Sequence, residues 1–500
     1  MHFNVMQDPW IPAADETGAV AERGIYDLLR EAHRLRGISM SSPMEEYGIY
    51  RLLCAFVMDA LRPRTADLRQ LLVKGRFDMA RFDSYLDTCR SEGVSFDLFD
   101  PERPFLQSKL DPKMDSEKNI KPISEIDYAV PSGNNHVLFE HEPKQFSVSP
   151  GEAARLLCAV NPFCTSGLKG PSYVNGAPPL YVLVTGENLF QTLVYSSLPE
   201  NMSKLPYAEP PVFWRYRETV IPDKKVPATS VLLGMTFPAR RLLLIPGKGE
   251  KVESLYFQKG MDFQGYDSWT DPHAAYEYTS LKRMPVKPEI GKACWRNTGS
   301  MLDCSHGDAE AHGAPLVVQQ FAKIAEDIPI HLNVYGVVTK LEKYFEMQRS
   351  DLVYDSMLLQ SAEKAELLRE GIEAAEKDAV YLEIALKAAS KSLKKERNKK
   401  QPEKYGSVIT QGLENYYLKC QTAFWNQLCP RTAAADINAE GAFRDIRQRW
   451  NETIAGAVLA EFDRCTADFG TGAAELLEQG QARRRLTAKV YVYRGGKQGG

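Results

Sequence analysis

Proline is unevenly distributed along this chain, and its distribution constrains the fold more than any other feature of the sequence. Only three of the 30 prolines, Pro329, Pro402 and Pro430, follow residue 315. Proline removes a backbone donor and clashes with the preceding helical turn, so long helices are disfavoured where it is frequent. The sequence therefore predicts a loop-rich first part and a helical last part.

The last part of the chain has apolar residues at helical spacing in four blocks. These blocks cover about residues 352–397, 405–428, 433–462 and 473–493. Each apolar stripe needs a neighbouring helix to cover it, and short connections favour antiparallel neighbours. We therefore predict a C-terminal antiparallel four-helix bundle over residues 343–500.

The first part opens with helical sequence. Apolar positions over residues 45–61 recur with helical periodicity. A second helix is predicted to begin at Thr65, whose side chain would cap it, and to end at Gly75. We expect a helical opening region.

The residue pattern changes between about residues 96 and 288, where frequent prolines and glycines separate short runs of other residues. Two runs favour strands and two favour helices: 180–184 and 241–245, then 152–160 and 188–197. The predicted fold class is α+β, with a mixed α/β N-terminal domain with long loops over residues 1–342, followed by the helical bundle.

Composition excludes several classes of protein. Lys and Arg number 62 against 65 Asp and Glu, which gives a net charge of −3, so any nucleic-acid binding must come from local patches. Asp8 and Pro9 precede any apolar run, and no apolar run reaches about 20 residues, so we expect a cytoplasmic protein with no membrane segment. The nine cysteines include no Cys-x-x-Cys pair, which favours reduced structural thiols.

One short segment contains residues that could support hydrolysis. His306, Asp308, Glu310 and His312 could bind a divalent metal and activate water. Their spacing matches none of the usual zinc motifs, and a polar surface loop is the alternative. A phosphate-binding loop and a dinucleotide fingerprint are absent from the sequence. We expect no enzymatic activity, no metal and no cofactor, with a metal-dependent hydrolase as the competing hypothesis.

Two segments favour nucleic-acid binding. In residues 161–173, glycines would permit close backbone approach while Lys169 and nearby hydroxyls meet phosphate, although a plain turn would have the same composition. Residues 387–404 carry eight basic side chains, and Arg483, Arg484 and Arg485 follow in the last helix. This basic sequence could track a phosphate backbone, with a solvated helix end, or a scaffold that binds only protein or RNA, as the alternatives.

Six strings of residues resemble, in their order, the large subunit of type I-E CRISPR Cascade, the CasA family. The strings are Trp10-Ile11-Pro12, Phe99 to Gln107, Leu138 to His141, Ser166 to Gly170, Gly234 to Phe237 ahead of Arg240-Arg241, and Trp269 to His273. The resemblance covers essentially the whole chain, including its length and its terminal helical blocks.

The resemblance implies a subunit of an antiviral surveillance complex that turns over no substrate. Its expected partners are a guide RNA, the other Cascade subunits, double-stranded target DNA and the CRISPR helicase-nuclease. The N-terminal domain would recognise the protospacer-adjacent motif (PAM) and contact the end of the guide RNA. The bundle would contribute to the DNA path and recruit the nuclease. Base pairing with the guide reads the target, so few protein contacts to the motif suffice.

The family's functional residues carry over to specific positions. For PAM and DNA binding they imply Asn161, Thr165, Ser166, Gly167, Lys169, Gly170, Lys259, Lys282 and Arg283. For the strand-separating wedge they imply Val338, Thr339 and Lys340, and for the contact with guide RNA and target they imply Asn134, Asn135, Phe139 and His141. Phe139 could equally be a core residue.

Two departures from the family pattern are visible. Asn161 to Thr165 replace a glycine-rich run, so their side chains are expected to share in reading the motif. The family's wedge carries a glutamine, whereas Thr339 and Lys340 stand at the corresponding position here.

Overall fold

The computed structural model of this chain confirms the predicted mixture of sheets and helices with a helical C-terminal region. It describes residues 1–130, 146–164, 174–227, 229–264, 269–279, 282–304, 313–325, 327–340, 343–390, 402–439, 441–467 and 469–495. The chain divides into two compact units. The first consists of Met1–Cys294 and His306–Val353, and the second of Trp295–Ser305 and Tyr354–Gly500.

The first unit combines eight described helices with short sheets. Its helices are α1 (Ile25–Glu31), α2 (Pro43–Leu61), α3 (Thr65–Lys74), α4 (Met79–Ser91), α5 (Pro150–Phe163), α6 (Leu189–Tyr195), α7 (Val231–Met235) and α9 (Leu316–Ile324). Its strands are β1 (Ile11–Asp15), β2 (Val20–Arg23), β3 (Leu35–Ile38), β4 (Ile120–Pro122), β5 (Tyr181–Thr185), β6 (Lys225–Pro227), β7 (Arg240–Pro246), β8 (Val252–Lys259), β9 (Asp262–Gln264), β10 (Tyr276–Thr279), β11 (Lys282–Pro285), β12 (Ile330–Lys340) and β13 (Lys343–Tyr354).

These strands form three three-stranded sheets and two strand pairs among the described residues. The sheet orders are β2-β1-β3, β4-β8-β7 and β13-β12-β5, and the pairs are β10-β11 and β6-β9. The sheets are small because the connecting segments are long and rich in proline and glycine, as predicted.

Helix α2 lies at the centre of the first unit. Ser42 caps it, Pro43 occupies its first turn, and most of its residues are buried on all sides. A helix that is buried around its whole circumference belongs in a core, and its buried Arg51 is paired with Asp271. It packs closely on α5, since a side chain at Gly48 would lie 2.6 Å from the Cys158 carbonyl oxygen.

The predicted cap of α3 is wrong. The Arg64 backbone N–H donates to the Asp67 carboxylate at 2.8 Å, and the Thr65 hydroxyl instead donates to Asn201 Oδ1 at 3.2 Å. An acidic side chain in the first turn satisfies an orphan donor as well as a hydroxyl does. The predicted end at Gly75 is confirmed by its left-handed φ of 69°.

The second unit contains four long helices and two short ones. They are α8 (Thr298–Leu302), α10 (Ala362–Ala389), α11 (Pro402–Ala423), α12 (Cys429–Ala434), α13 (Ala442–Thr466) and α14 (Ala473–Gly495). Helix α10 packs against α11, α13 and α14. A π-helical turn, Phe424–Leu428, joins α11 to α12.

Two predicted helix starts are wrong. Residues 352–354 belong to β13, and α10 begins only after Ser361, whose side chain accepts from the Lys364 backbone N–H. The block predicted from residue 433 starts later, at Ala442, because Gly441 adopts a left-handed φ of 81° before the helix. In both cases the residue just before the helix, rather than apolar spacing, marks the boundary.

All nine cysteines lie in the described part of the chain and none forms a disulfide, and all except the half-buried Cys304 are buried. Burial raises the pKa of the Cys54 thiol to about 12, which keeps it protonated at neutral pH. Of the helices that the structure describes, none combines the length and the apolar content needed to cross a bilayer.

Candidate nucleic-acid interface

The residue stretch that ends at Cys164 is held by tyrosine hydroxyls. The hydroxyls of Tyr128, Tyr181 and Tyr344 donate to the carbonyl oxygens of Val160, Pro162 and Phe163 at 3.3, 2.9 and 3.2 Å. The last carbonyls of a helix have no partner within the helix, so side chains must satisfy them when they are buried. These bonds fix the C-terminal end of α5, immediately before segment 165–173.

The residue stretch that follows segment 165–173 is held by a carboxylate. Asn175 Nδ2 donates to Asp271 Oδ2 at 2.7 Å. Asp271 also forms a buried ion pair with Arg51, with Nη2 and Oδ2 2.9 Å apart. Burial alone would raise the pKa of Asp271, but the charge and hydrogen bonds of Arg51 outweigh burial and lower it. The Asp271 carboxylate is therefore ionised and can hold Asn175.

One buried side chain joins these two anchors. Tyr47 stacks on Tyr181 with ring centroids 4.4 Å apart, and its hydroxyl accepts from Arg51 Nη1 at 2.9 Å. We call Tyr128, Tyr181, Tyr344, Asn175 and Asp271 the loop frame. Both ends of segment 165–173 are thus fixed to a single buried network.

The predicted PAM-contact residues in this region lie mostly outside the described residues. These are Thr165, Ser166, Gly167, Lys169 and Gly170.

Asn161 is described and occupies the last turn of α5. Its Oδ1 is buried and, among the described residues, accepts no hydrogen bond. This buried acceptor lies in the helical turn that precedes the segment.

Lys259 lies at the end of β8. Its Nζ lies 3.2 Å from an Asp223 carboxylate oxygen, and its side chain is 44% exposed. The next residue, Gly260, has no room for a side chain, because a Cβ would lie 2.2 Å from the Pro238 carbonyl oxygen. The strand end that carries Lys259 is therefore closely packed, while the ammonium group remains accessible.

The other predicted cationic and wedge residues lie on two hairpins. Lys282 and Arg283 begin β11, where their backbones pair with Thr279 and Tyr278 of β10. Val338, Thr339 and Lys340 are the last three residues of β12, and β13 follows after two residues. Val338 is buried with 6% of its side chain exposed, and Thr339 is half-buried.

Several predicted residues lie wholly outside the described residues. They are Asn134, Asn135, Phe139 and His141 of the guide-contact segment, and His306, Asp308, Glu310 and His312 of the competing hydrolase hypothesis. Within the described part of the chain, no group of three or more His, Cys, Asp or Glu side chains is placed to hold a metal.

The basic residues of the second unit are only partly described. Residues 391–401 lie outside the described part, and Lys387 is paired with Glu383 on the same helix. Arg483 is paired with Asp463 at 2.7 Å, while Arg484 and Arg485 are exposed.

Comparison with known proteins identifies the family. A family model described as CRISPR-associated protein Cse1 matches residues 4–460. The chain belongs to the Cse1 family. A CRISPR-associated CasA/Cse1 protein of Thermus thermophilus is 29% identical to this Cse1-family chain, and the match covers 96% of each.

Solved structures confirm the Cse1 fold. The crystal structure of Thermus thermophilus CasA has a TM-score of 0.75 at 24% identity and covers 98% of this chain and all of that one. Thermobifida fusca Cse1 has a TM-score of 0.77 at 19% identity, with coverage of 98% and 97%. A chain of a CRISPR RNA-guided surveillance complex has a TM-score of 0.75 at 19% identity, with coverage of 98% and 99%.

Where the structure describes them, several of the strings that carry the Cse1 resemblance contain core residues. Trp10 is fully buried and donates to the Val5 carbonyl oxygen at 2.8 Å. Arg241 forms a buried ion pair with Asp115 at 2.6 Å. Part of the Cse1 resemblance is therefore carried by residues that hold the fold.

Sequence reasoning missed most of the loop frame of this Cse1-family chain. Asp271 stands out in the sequence only as part of a family string, and nothing in the sequence marks the three tyrosines or Asn175. Their partners lie far away in sequence, as with Tyr344 and Phe163, which are 181 residues apart. No local motif identifies such contacts.

Proposed function

We propose that this Cse1-family chain is the large subunit of an RNA-guided surveillance complex and recognises a short PAM in double-stranded DNA. It helps to open the duplex so that an R-loop can form, and it recruits a helicase-nuclease without turning over a substrate. The observation that carries this proposal is the loop frame, which fixes both ends of the segment containing Gly167, Lys169 and Gly170. The similarity of this chain to one from a CRISPR RNA-guided surveillance complex supports the assembly.

A rigidly anchored segment suits recognition of a short motif. Glycines allow a backbone to approach the bases closely, while fixed ends reduce the conformational entropy that a chain segment loses on binding DNA. Minor-groove contacts are degenerate, so a few such contacts would tolerate several related motifs.

The remaining predicted residues would bind and separate the two strands of the DNA. Lys259, Lys282 and Arg283 would hold phosphates or base edges, and Thr339 and Lys340 would enter the duplex from the end of β12. Unstacking a base step costs a few kcal/mol. Pairing of the target strand with the guide RNA offsets that cost, so the protein need only start the opening.

The guide-contact residues and the helical bundle would bind the other components of the complex. Asn134, Asn135, Phe139 and His141 would contact the end of the guide RNA and the first target bases. The bundle would line the DNA path and present a surface to the helicase-nuclease.

The direct test is to reconstitute the complex. We would co-express this chain with the neighbouring Cascade-type subunits and a guide RNA, and titrate the purified complex into duplexes that carry the target and a randomised flanking trinucleotide. The proposal expects stable co-purification and enrichment of a few trinucleotides. Equal affinity for all trinucleotides, or failure to join the complex, would contradict it.

A further inference from the structure

A second basic surface lies in the first unit, at a cleft that the sequence analysis did not single out. The cleft has a volume of about 670 Å³. Its walls are the end of α1 with the turn that follows it, and the connection from α3 to α4. The cationic and imidazole side chains that line it are Arg30, His33, Arg34, Lys74 and Arg76. We call this the basic cleft.

The two acidic residues in the basic cleft are already engaged. Glu31 pairs with Arg23, whose Nε lies 2.9 Å from the Glu31 carboxylate. Asp78 caps α4, where its carboxylate accepts from the Ala80 backbone N–H at 3.2 Å. Arg30 also has a partner, since its Nη2 lies 2.8 Å from Asp27.

Three of the cations lack such partners. Arg34, Lys74 and Arg76 are exposed, and none of the described residues forms an ion pair with any of them. They come from two separate chain segments, so the fold rather than local sequence brings them together. The chain as a whole has a net charge of −3, but here three cations without ion-pair partners lie together.

Another described cleft provides a contrast. It has a volume of about 380 Å³ and also contains cations, including Arg103 and Lys109. There Lys109 pairs with Glu102 at 3.1 Å, and Arg103 Nη1 donates to the Glu92 carbonyl oxygen at 2.8 Å. In this second cleft Lys109 and Arg103 are both engaged, whereas Arg34, Lys74 and Arg76 of the basic cleft form no ion pair with the described residues.

The floor of the basic cleft indicates which part of a ligand it would contact. Phe77 lines the cleft but is only 6% exposed. Its ring packs edge-on against Phe82 and Phe190, with centroids 5.6 and 4.8 Å away. Because Phe77 is so nearly buried, it offers almost no surface on which a base could stack. The cleft therefore suits phosphate groups rather than bases.

We propose that the basic cleft binds the phosphate backbone of a nucleic acid, independently of sequence, through Arg34, Lys74 and Arg76. The proposal rests on the proposed function, which brings both a DNA duplex and a guide RNA to this chain. Binding here adds an electrostatic contribution to affinity that does not distinguish one motif from another.

The test compares two triple variants in the reconstituted complex. The first carries Arg34→Ala, Lys74→Ala and Arg76→Ala, and the matched control carries Lys204→Ala, Lys225→Ala and Lys248→Ala, which remove three exposed lysines of the same unit. Kd is measured at several salt concentrations for duplexes with and without the preferred trinucleotide. Thermal melting of both variants verifies that they are folded.

If the cleft holds DNA, the first variant lowers the slope of log Kd against log salt by about 2 to 3, since each lost phosphate contact on duplex DNA contributes about 0.9. Its ratio of Kd values with and without the preferred trinucleotide stays as in the wild type. If the wild-type Kd values with and without the preferred trinucleotide were equal, the proposed function would be contradicted. The salt slopes of the two triple variants would still test whether the cleft binds phosphate.

A second arm distinguishes the source of the phosphates. The full chain is titrated with a fluorescent single-stranded RNA that has the sequence of the guide end. If the first triple variant has a reduced salt slope only for RNA, the cleft binds the guide. If its slope is reduced only for duplex DNA, the cleft binds the target DNA. Slopes equal to those of the control triple variant in both arms would overturn the proposal.

Discussion

His273 shows how one buried side chain organises its neighbours. The Ser196 carbonyl oxygen can only accept, so His273 Nε2, 2.9 Å away, carries the proton. His273 Nδ1 is then an acceptor, and the Tyr47 hydroxyl donates a hydrogen bond to it at 3.1 Å. Arg51 in turn donates to the Tyr47 oxygen. A second proton on His273 would break this series of hydrogen bonds. Burial disfavours that proton and lowers the pKa of His273 to about 4.

This histidine makes stability depend on pH. The pKa of His273 is about 4 in the folded state, against about 6.5 when unfolded. Between these values the unfolded chain binds the proton and the folded chain does not, so stability decreases as pH falls from 6.5 to 4. The full effect is roughly 3 kcal/mol.

The measurement is the urea midpoint of wild type and His273→Gln at a series of pH values. We expect the difference between the two free energies of unfolding to change with pH in that window, because the variant lacks the titrating group. A difference that is constant from about pH 7 to about pH 4 would contradict the assignment. Groups such as Glu45, whose pKa is raised by burial, affect both proteins equally and cancel.

Lys259 allows a residue-scale test of DNA contact. Lys259→Ala should weaken PAM-dependent binding by on the order of 1–3 kcal/mol if a specific base contact is lost. Stability should hardly change, since an exposed ion pair such as the one with Asp223 contributes little. Lys224→Ala, which breaks the comparable pair with Glu218, is the matched control. Equal Kd values for the two variants would argue against the assigned role.

At the scale of elements, the loop frame determines how segment 165–173 is presented. Its anchors come from β5, β13 and the Asp271 turn, so the residues on either side of the segment are held by several elements at once. Side chains that bind backbone carbonyls at a helix end restrict where the following residues can go. Loosening an anchor should therefore affect binding more than stability.

Asn175→Ala tests that expectation. The variant loses one hydrogen bond to a carboxylate and should lose about 1–2 kcal/mol of stability. The preference of the reconstituted complex for its PAM should fall, because one end of the segment is released. Asn119→Ala removes a hydrogen bond of 2.9 Å to Gln258 elsewhere in the unit and serves as the control. The frame would have no positioning role if both variants kept the wild-type preference.

Gly234 tests the packing of α7. A Cβ at this position would lie 2.1 Å from the Trp269 ring, and Trp269 is itself buried. Overpacking of a core typically costs about 1–3 kcal/mol, and a rigid indole raises that cost, so Gly234→Ala should lower the urea midpoint strongly. Gly456→Ala in α13 meets no neighbour within 4 Å and should stabilise by up to about 1 kcal/mol. Similar midpoints for the two variants would contradict this packing.

Sequence periodicity predicted elements well where one face is continuously apolar. Helix α2 matched the prediction within two residues of its start. The periodicity-based prediction failed at the described residues 352–361, where no α-helix begins. There Leu352 and Tyr354 are buried and Val353 is exposed, and this two-residue period belongs to strand β13. Strand and helix periods overlap in such short apolar runs, so only the partner strand resolves them.

At the scale of the whole chain, residues that hold the fold and residues that would touch nucleic acid follow different rules. Core residues such as Trp10 and Arg241 have demanding packing, and the strings around them contribute to the family resemblance. The predicted contact residues lie mainly in connecting segments, where many sequences are compatible with the fold. The basic cleft could not be predicted either, because about 40 residues separate Arg34 from Lys74 and only tertiary structure brings them together.

Site-specific photocrosslinking in the reconstituted complex tests the central claim most directly. A photoreactive amino acid is placed singly at positions 169, 259 and 339, and at the exposed control position 204. We predict crosslinks from the first three positions to bases or phosphates at the flanking trinucleotide, and none from position 204. The account would be contradicted if the first three positions crosslinked to DNA no more than the control.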